Sequence, residues 1–194
     1  SGETTGGTSS TLSNSEYFQK LGERLIKVLA EQTAEGMIFR VDMRLRPHGR
    51  MGPLAVDVES AIHYFESEGH AWERQALIKA RPVAGDLDLG GRFVERTRPF
   101  VFPKYFDDET LEDIRNGKRQ MEAQIAQRGE TEIEVKLGRG GIRDIEFTVQ
   151  MLQLLNGGRV PELRVPPTLR AIKALGEQNL LRPLDAQTLA SNYV

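Results

Sequence analysis

Between Met37 and Pro47 the chain alternates: Met37, Phe39, Val41, Met43 and Leu45 fall on one side, and Ile38, Arg40, Asp42, Arg44 and Arg46 on the other. A period of two sustained this long predicts a β-strand, because successive side chains of a strand point to opposite faces. One face is wholly apolar and needs a core. The other sets one carboxylate in line with three guanidinium groups. With a rise of roughly 3.3 Å per residue, Asp42 and Arg44 would stand about 7 Å apart on that face. Two readings compete. In the plain one this is a half-buried strand with a solvated, salt-bridged outer face. In the other it is an active-site strand, in which Asp42 holds a divalent metal and the arginines, whose planar forks suit phosphate oxygens, neutralise a phosphate. Pro47 ends the strand because it brings no donor to a ladder.

Composition narrows what such a strand can serve. A chain of 194 residues suffices for one good-sized domain or one and a half small ones. Apolar residues at 39% and charged residues at 28% fit a soluble globular protein. The net charge of -2 makes the chain as a whole no polyanion binder, so phosphate recognition must be local. A nucleic-acid role fits poorly: there is no basic stripe beyond the one strand, and no aromatic is interleaved with its arginines. Cysteine is absent, which removes disulfides and thiolate-zinc sites and fits a reducing cytosol. Histidine occurs only at 48, 63 and 70, so a bound metal should be a hard ion held by oxygen. No apolar run approaches the ~20 residues of a membrane span and no signal peptide is visible, so the expected location is cytoplasmic, away from membranes.

Along the chain, residues 1–11 are rich in Gly, Ser and Thr and read as a loop. Ser13-Asn14-Ser15-Glu16 is a capping box. Phe18, Leu21, Leu25, Val28 and Leu29 then recur at helical spacing, predicting an amphipathic helix of about five turns that ends near Glu35-Gly36, where Gly36 turns the chain into the alternating stretch. Leu54 to Val56 suits a short edge strand, and helices follow over about 58–66 and 71–81. Trp72, Ala76 and Ala80 form a large-small-small stripe that reads as core. Asp86 and Asp88 resemble metal chemistry, but helix N-capping is the preferred reading for a helix starting near Arg92. Pro99 to Pro103 reads as an aromatic connector, Glu109 to Arg128 as a long polar helix, and Glu132 to Leu137 as a brief strand. Thr168 to Gln178 and the stretch from Pro183 to the end read as further helices.

The second unusual stretch is Leu137-Gly138-Arg139-Gly140-Gly141-Ile142-Arg143-Asp144-Ile145-Glu146-Phe147. A Gly-rich entry into a helix is a ready anion site, although tight turning and close packing account for glycines equally well. The helix is apolar over most of its circumference and should be central in a bundle. Asp144 and Glu146 are two apart and diverge by about 200°, so at most one of them belongs to a site.

Taken in order, Val41-Asp42-Met43-Arg44-Leu45-Arg46-Pro47, Gly52-Pro53-Leu54, Trp72-Glu73-Arg74 with Lys79-Ala80-Arg81, Lys136-Leu137-Gly138 and Gly140-Gly141-Ile142-Arg143-Asp144-Ile145-Glu146-Phe147 resemble the glutamine synthetase adenylyltransferase/adenylyl-removing enzyme family from about Tyr17 onward. The resemblance implies an α+β, mainly helical chain: part of a polymerase-β-like nucleotidyltransferase sheet domain over residues 1–91, then a helical bundle over 92–194 that is truncated at its C-terminus. It implies a Mg2+-dependent nucleotidyltransferase that controls glutamine synthetase through AMP on a tyrosine. Asp42 matches the third catalytic, metal-holding carboxylate of that fold, and the upstream Asp pair is absent, so the fragment alone should be inactive. Arg44, Arg46, Arg139, Gly140, Gly141 and Arg143 are the expected phosphate- and nucleotide-binding residues, with Asp144 as a possible addition. The segments Arg98–Phe102 and Lys136–Asp144 look more like the family's AMP-removing half, whose phosphorolysis needs added positive charge that Arg139 and Arg143 would supply. Implied partners are glutamine synthetase, a nitrogen-signal regulatory protein of the PII type, and a nucleotide. The alternative is a non-catalytic helical module that docks a protein or regulator, with Asp42 structural.

Overall fold

The computed structural model describes residues 4–6, 11–34, 36–37, 39–127 and 141–193. The chain folds as two units, Ser1–Ser67 and Glu68–Val194, a division that falls ahead of the 91/92 boundary expected from the sequence. It is mainly helical, with eight α-helices among the described residues.

The first unit opens with strands β1 (Thr4–Gly6) and β2 (Thr11–Ser13), paired antiparallel with Thr5 opposite Leu12. Ser13 then caps helix α1 (Asn14–Ala30). The capping box is formed as expected: Glu16 N–H donates to Ser13 Oγ at 3.3 Å, and Ser13 N–H donates to Glu16 Oε2 at 2.8 Å. The helix ends about a turn earlier than periodicity suggested, and Gly36, at φ +105°, makes the turn that needs a glycine. Leu54 and Ala55 do not form an edge strand. Their amides donate instead to Gln19 Oε1 on α1, at 2.9 and 3.4 Å. Helix α2 (Val58–Ser67) supplies the unit's buried residues Ala61, Ile62, Tyr64 and Phe65.

The alternating stretch is not a strand among the described residues, and Ile38 lies outside them. Phe39 N–H donates to the carbonyl of Leu29 at the end of α1 at 3.0 Å. The backbone is extended at Asp42 and closes into a 3-10 turn over Met43–Leu45. Alternation selects extended backbone but cannot supply a ladder partner. Where none is present, a local carboxylate-to-amide bond wins. The apolar side is correspondingly open, with Phe39 63% and Leu45 59% exposed, where the sequence called for a core.

The second unit contains α3 (Ala71–Ile78), α4 (Leu87–Val101), α5 (Asp108–Gln127), α6 (Ile142–Gly157), a 3-10 turn at Pro161–Leu163, α7 (Thr168–Glu177) and α8 (Pro183–Tyr193). Helix α6 is central, as its apolar circumference predicts. Its Ile145 and Val149 meet Leu163, Ala171, Ile172 and Leu175 in one cluster, every member 5% exposed or less. Each large side chain buried this fully contributes about 1.5–3 kcal/mol before the entropy of ordering it. Gln153, 1% exposed, is satisfied by donating Nε2 to the carbonyls of Leu163 and Val165 at 2.6 and 2.8 Å, which holds the 3-10 turn onto α6. At the end of α6 the glycines permit close approach: a Cβ at Gly157 would lie 2.5 Å from Phe102 Cδ1, and one at Gly158 would lie 2.1 Å from the Pro103 carbonyl oxygen.

Three expectations are corrected here. Helix α4 begins at Leu87 rather than near Arg92, because Asp86 caps it by accepting from Leu89 N–H at 2.9 Å; capping was the expected task for this acidic pair. Pro99 lies inside the last turns of α4 rather than in a connector. Trp72 is 46% exposed and not core: in the first turn of α3 it is the neighbouring Glu73, 3% exposed, that faces inward, and Trp72, one residue before it, points elsewhere. The strand expected at Glu132 to Leu137 lies outside the described residues.

Candidate functional site

The 3-10 turn at Met43 brings Asp42 and Arg44 onto one side of the backbone. Asp42 caps the turn by accepting from Arg44 N–H at 3.0 Å. Its carboxylate also receives Arg44 Nε at 2.8 and 3.0 Å, and Nη2 as well. The bonds to Arg44, side chain first and backbone second, hold the Asp42 carboxyl far below the usual carboxylate range, and the charges of Arg44 and Arg40 add to them. The carboxylate therefore sits in an ion pair with Arg44, the pairing that the plainer of the two sequence readings has.

Arg46 is turned back into its own loop. Its Nη1 donates to the carbonyl of Met43, Nη2 to Gly52 at 2.9 Å, and Nε to Pro53 at 3.1 Å. The loop it clamps is tight. His48 and Gly49 both have positive φ, and a Cβ at Gly52 would lie 2.3 Å from the Pro47 carbonyl oxygen. The His48 ring packs edge-on against Tyr64 at 4.5 Å, which fixes the loop to α2.

In the second unit, Gly141 is the N-cap residue of α6, and its carbonyl accepts from Asp144 and Ile145 N–H at 3.0 and 3.2 Å. Arg143 and Asp144 occupy the first turn, where Asp144 suits the positive end of the helix dipole. Arg139 and Gly140, the other expected members of this turn, lie outside the described residues. The structure thus gathers Asp42, Arg44 and Arg46 in one loop and Gly141, Arg143 and Asp144 at one helix start.

Sequence reasoning missed a polar cluster joining four helices of the second unit. Lys79 Nζ donates to Thr168 Oγ1 at 2.6 Å and lies 3.9 Å from Glu146, and Tyr193 Oη donates to Glu146 at 2.8 Å. A hydrogen bond with Thr168 pulls the Tyr193 phenol down. Burial, the bond to Glu146 and that carboxylate's charge outweigh it and raise the phenol above its ordinary value. The only advance signal was that Glu146 and Asp144 must diverge, so that one of them faces neighbouring helices.

Among the described residues no three His, Asp or Glu side chains are grouped to hold a metal ion. A single carboxylate already paired with an arginine does not fit Mg2+, which needs several oxygens in near-octahedral array. No helix among the described residues is long and apolar enough to cross a membrane.

Residues 1–96 match the family model described as "Glutamate-ammonia ligase adenylyltransferase", and residues 112–194 match the one described as "GlnD PII-uridylyltransferase". A "Bifunctional glutamine synthetase adenylyltransferase/adenylyl-removing enzyme" from Rhizobium meliloti (strain 1021) is 47% identical over 92% of this chain and 18% of its own length. Proteins with the same description from Hahella chejuensis (strain KCTC 2396) and Thioalkalivibrio sulfidiphilus (strain HL-EbGR7) are 42% and 45% identical over 100% and 99% of this chain, and 20% of their own lengths. The chain spans about a fifth of the length of these curated relatives. With likeness of this degree running through both units, the chain belongs to the glutamine synthetase adenylyltransferase/adenylyl-removing enzyme family.

Proposed function

We propose that this chain is part of a nucleotidyltransferase that controls glutamine synthetase through AMP on a tyrosine, and that it comes from the half that removes the AMP. The observation that carries the proposal is the identity of 40–47% to bifunctional enzymes of that description, sustained over nearly the whole chain. The uncovered apolar side chains of α1, Phe18, Leu21, Leu25 and Val28, together with Phe39 and Leu45, support reading the first unit as part of a nucleotidyltransferase sheet domain, because faces of this kind are built to be covered.

In this reading Asp42 is one of the catalytic carboxylates. Arg44 and Arg46 line the phosphate side, and Arg139, Gly140, Gly141, Arg143 and Asp144 supply a second anion-binding element. Removal proceeds by phosphorolysis. A phosphate oxygen attacks the AMP phosphorus, the bond to the tyrosine oxygen breaks, and ADP and free tyrosine leave. Extra guanidinium charge favours bringing two phosphates together, which is why Arg143 beside a helix N-terminus supports removal over transfer. Mg2+ dependence rests on the family resemblance, since the described residues do not themselves fit the ion. A PII-type regulator as second partner also rests on it, and the likeness of residues 112–194 to a PII-uridylyltransferase model supports that partner.

The test uses the longer protein that carries this chain, with adenylylated glutamine synthetase as substrate. Phosphate-dependent release of ADP is expected. Transfer of AMP from ATP to unmodified glutamine synthetase, without phosphate-dependent removal, reverses the direction. One observation favours a second reading, a non-catalytic docking module: Asp42 is already engaged by Arg44. Tight binding of the isolated 194-residue chain to glutamine synthetase, with full activity retained in an Asp42→Ala enzyme, selects that reading.

A further inference from the structure

Lys79, Glu146, Thr168 and Tyr193 take no part in the function proposed above, yet they form one continuous chain of hydrogen bonds. An ammonium only donates and a carboxylate only accepts, which orients the two hydroxyls between them. Lys79 Nζ donates to Thr168 Oγ1 at 2.6 Å, Thr168 donates to Tyr193 Oη, and Tyr193 donates to Glu146 Oε1 at 2.8 Å. The Lys79 ammonium, 3.9 Å from Glu146, closes the circuit. Each bond polarises the next, so the links strengthen one another. Tyr193 is the middle link. Without its hydroxyl, Glu146 loses a donor and Thr168, 4% exposed, loses the acceptor for its proton.

Tyr193 ends α8, a helix held lightly. Helix α6 has five buried residues and α7 four, whereas α8 has none. Ala186, Leu189, Ala190 and Tyr193 lie against the apolar cluster, and the two alanines bring little surface to cover it. Leu184 is 70% exposed. The hydroxyls of Thr188 and Ser191 and the amide of Asn192 bond within α8 itself. Among the described residues, Tyr193 therefore makes every side-chain hydrogen bond that joins α8 to another helix. The chain leaves α7 through Asn179, at φ +56°, and five residues separate the two helices. Few buried contacts and a single polar tether mark an element that opens on its own.

We propose that α8 is a strap that swings open about the Asn179 turn while α6 and α7 stay folded, and that the Tyr193 hydroxyl is its clasp. Opening uncovers part of the apolar cluster and leaves Lys79 and Glu146 facing each other without the tyrosine between them.

Hydrogen exchange followed by mass spectrometry, on the longer protein that carries this chain, tests this. In wild type, peptides within 184–193 should exchange ahead of those from α6 and α7. Tyr193→Phe keeps the aromatic ring and removes only the clasp. It should speed exchange at 184–193 by about tenfold or more and leave α6 unchanged. Thr188→Ala, on the same helix but outside the clasp, should alter that rate by about twofold at most. Exchange of α8 in step with α6 and α7 in wild type, an unaltered rate in Tyr193→Phe, an equal acceleration of all three helices, or an effect of Thr188→Ala as large as that of Tyr193→Phe overturns the proposal. If circular dichroism shows that Tyr193→Phe does not fold, Glu146→Gln decides, since a neutral amide accepts the phenol proton more weakly than a carboxylate. Exchange at 184–193 should then rise about threefold or more, and an unchanged rate overturns the proposal.

Discussion

Arg44 Nε lies 2.8 and 3.0 Å from the two carboxylate oxygens of Asp42, and the backbone N–H of the same arginine donates to that carboxylate at 3.0 Å. One residue thus contacts Asp42 through both its side chain and its backbone. This pairing decides how Asp42 titrates. Because the carboxyl is held below its ordinary value, its stabilising contribution is complete above the unfolded pKa near ~3.9 and is lost as pH falls from there toward the folded value. Replacing Arg44 with Gln should raise the Asp42 pKa toward ~3.9. Carboxyl-carbon NMR titration of wild type and variant checks this, and an unmoved Asp42 titration counts against the pair.

Asp42→Ala separates chemistry from architecture. The pair is largely solvent-exposed, at 34% for the Asp42 side chain and 57% for Arg44, so screening leaves it little structural worth. In the longer enzyme, turnover should fall by orders of magnitude while the melting temperature stays nearly unchanged. Retained activity with a large loss of stability would make Asp42 a cap and nothing more.

Arg46 is a clamp whose fork spans the carbonyls of Met43, Gly52 and Pro53. A lysine ammonium has the charge but not the span. Arg46→Lys should therefore cost about 1–2 kcal/mol, and Arg50→Lys in the same loop should cost almost nothing. Urea unfolding midpoints of the two variants provide the comparison, and equal midpoints would show that the clamp carries no load.

Gln153→Leu keeps volume and apolar contact but leaves two carbonyls, those of Leu163 and Val165, without their donor. The expected loss is about 2–3 kcal/mol. Hydrogen exchange at the amides of 163–165 should accelerate, because the link is freed from α6. Unchanged protection there would mean that water replaces the glutamine without penalty.

What the sequence made legible was local. The Ser13–Glu16 box, the Asp86 cap and the apolar circumference of α6 each depend on residues within a turn or two of one another, and each formed. The alternation at 37–47 depends on a partner strand, which no periodicity can supply, and the stretch bent into a 3-10 turn. That bend also undid the expected spacing of about 7 Å between Asp42 and Arg44, since a turn brings neighbours two apart onto one side. Trp72 was misjudged because a stripe shows which residues share a face, not which way a helix of eight residues turns it. Gln153 was invisible as a structural residue because its acceptors lie 10 and 12 positions away along the chain. The candidate site was legible as a list of residue types, while its pairing geometry was not.

The contact at the end of α6 has an evolutionary consequence. Position 157 has no room for a β-carbon because Phe102 Cδ1 stands where it would go, and position 158 is closed by the Pro103 carbonyl. Arg164 seals the same corner, donating Nε to the Gly157 carbonyl at 2.6 Å. Drift at these sites is therefore not independent. A lineage that acquires alanine at 157 while keeping Phe102 carries an overpacked corner. One that first cuts Phe102 back to alanine removes the ring atoms that stand within 3.3 Å of that position and makes the second substitution tolerable. The order of the two steps matters, so the permitted path between such sequences runs through position 102 before position 157.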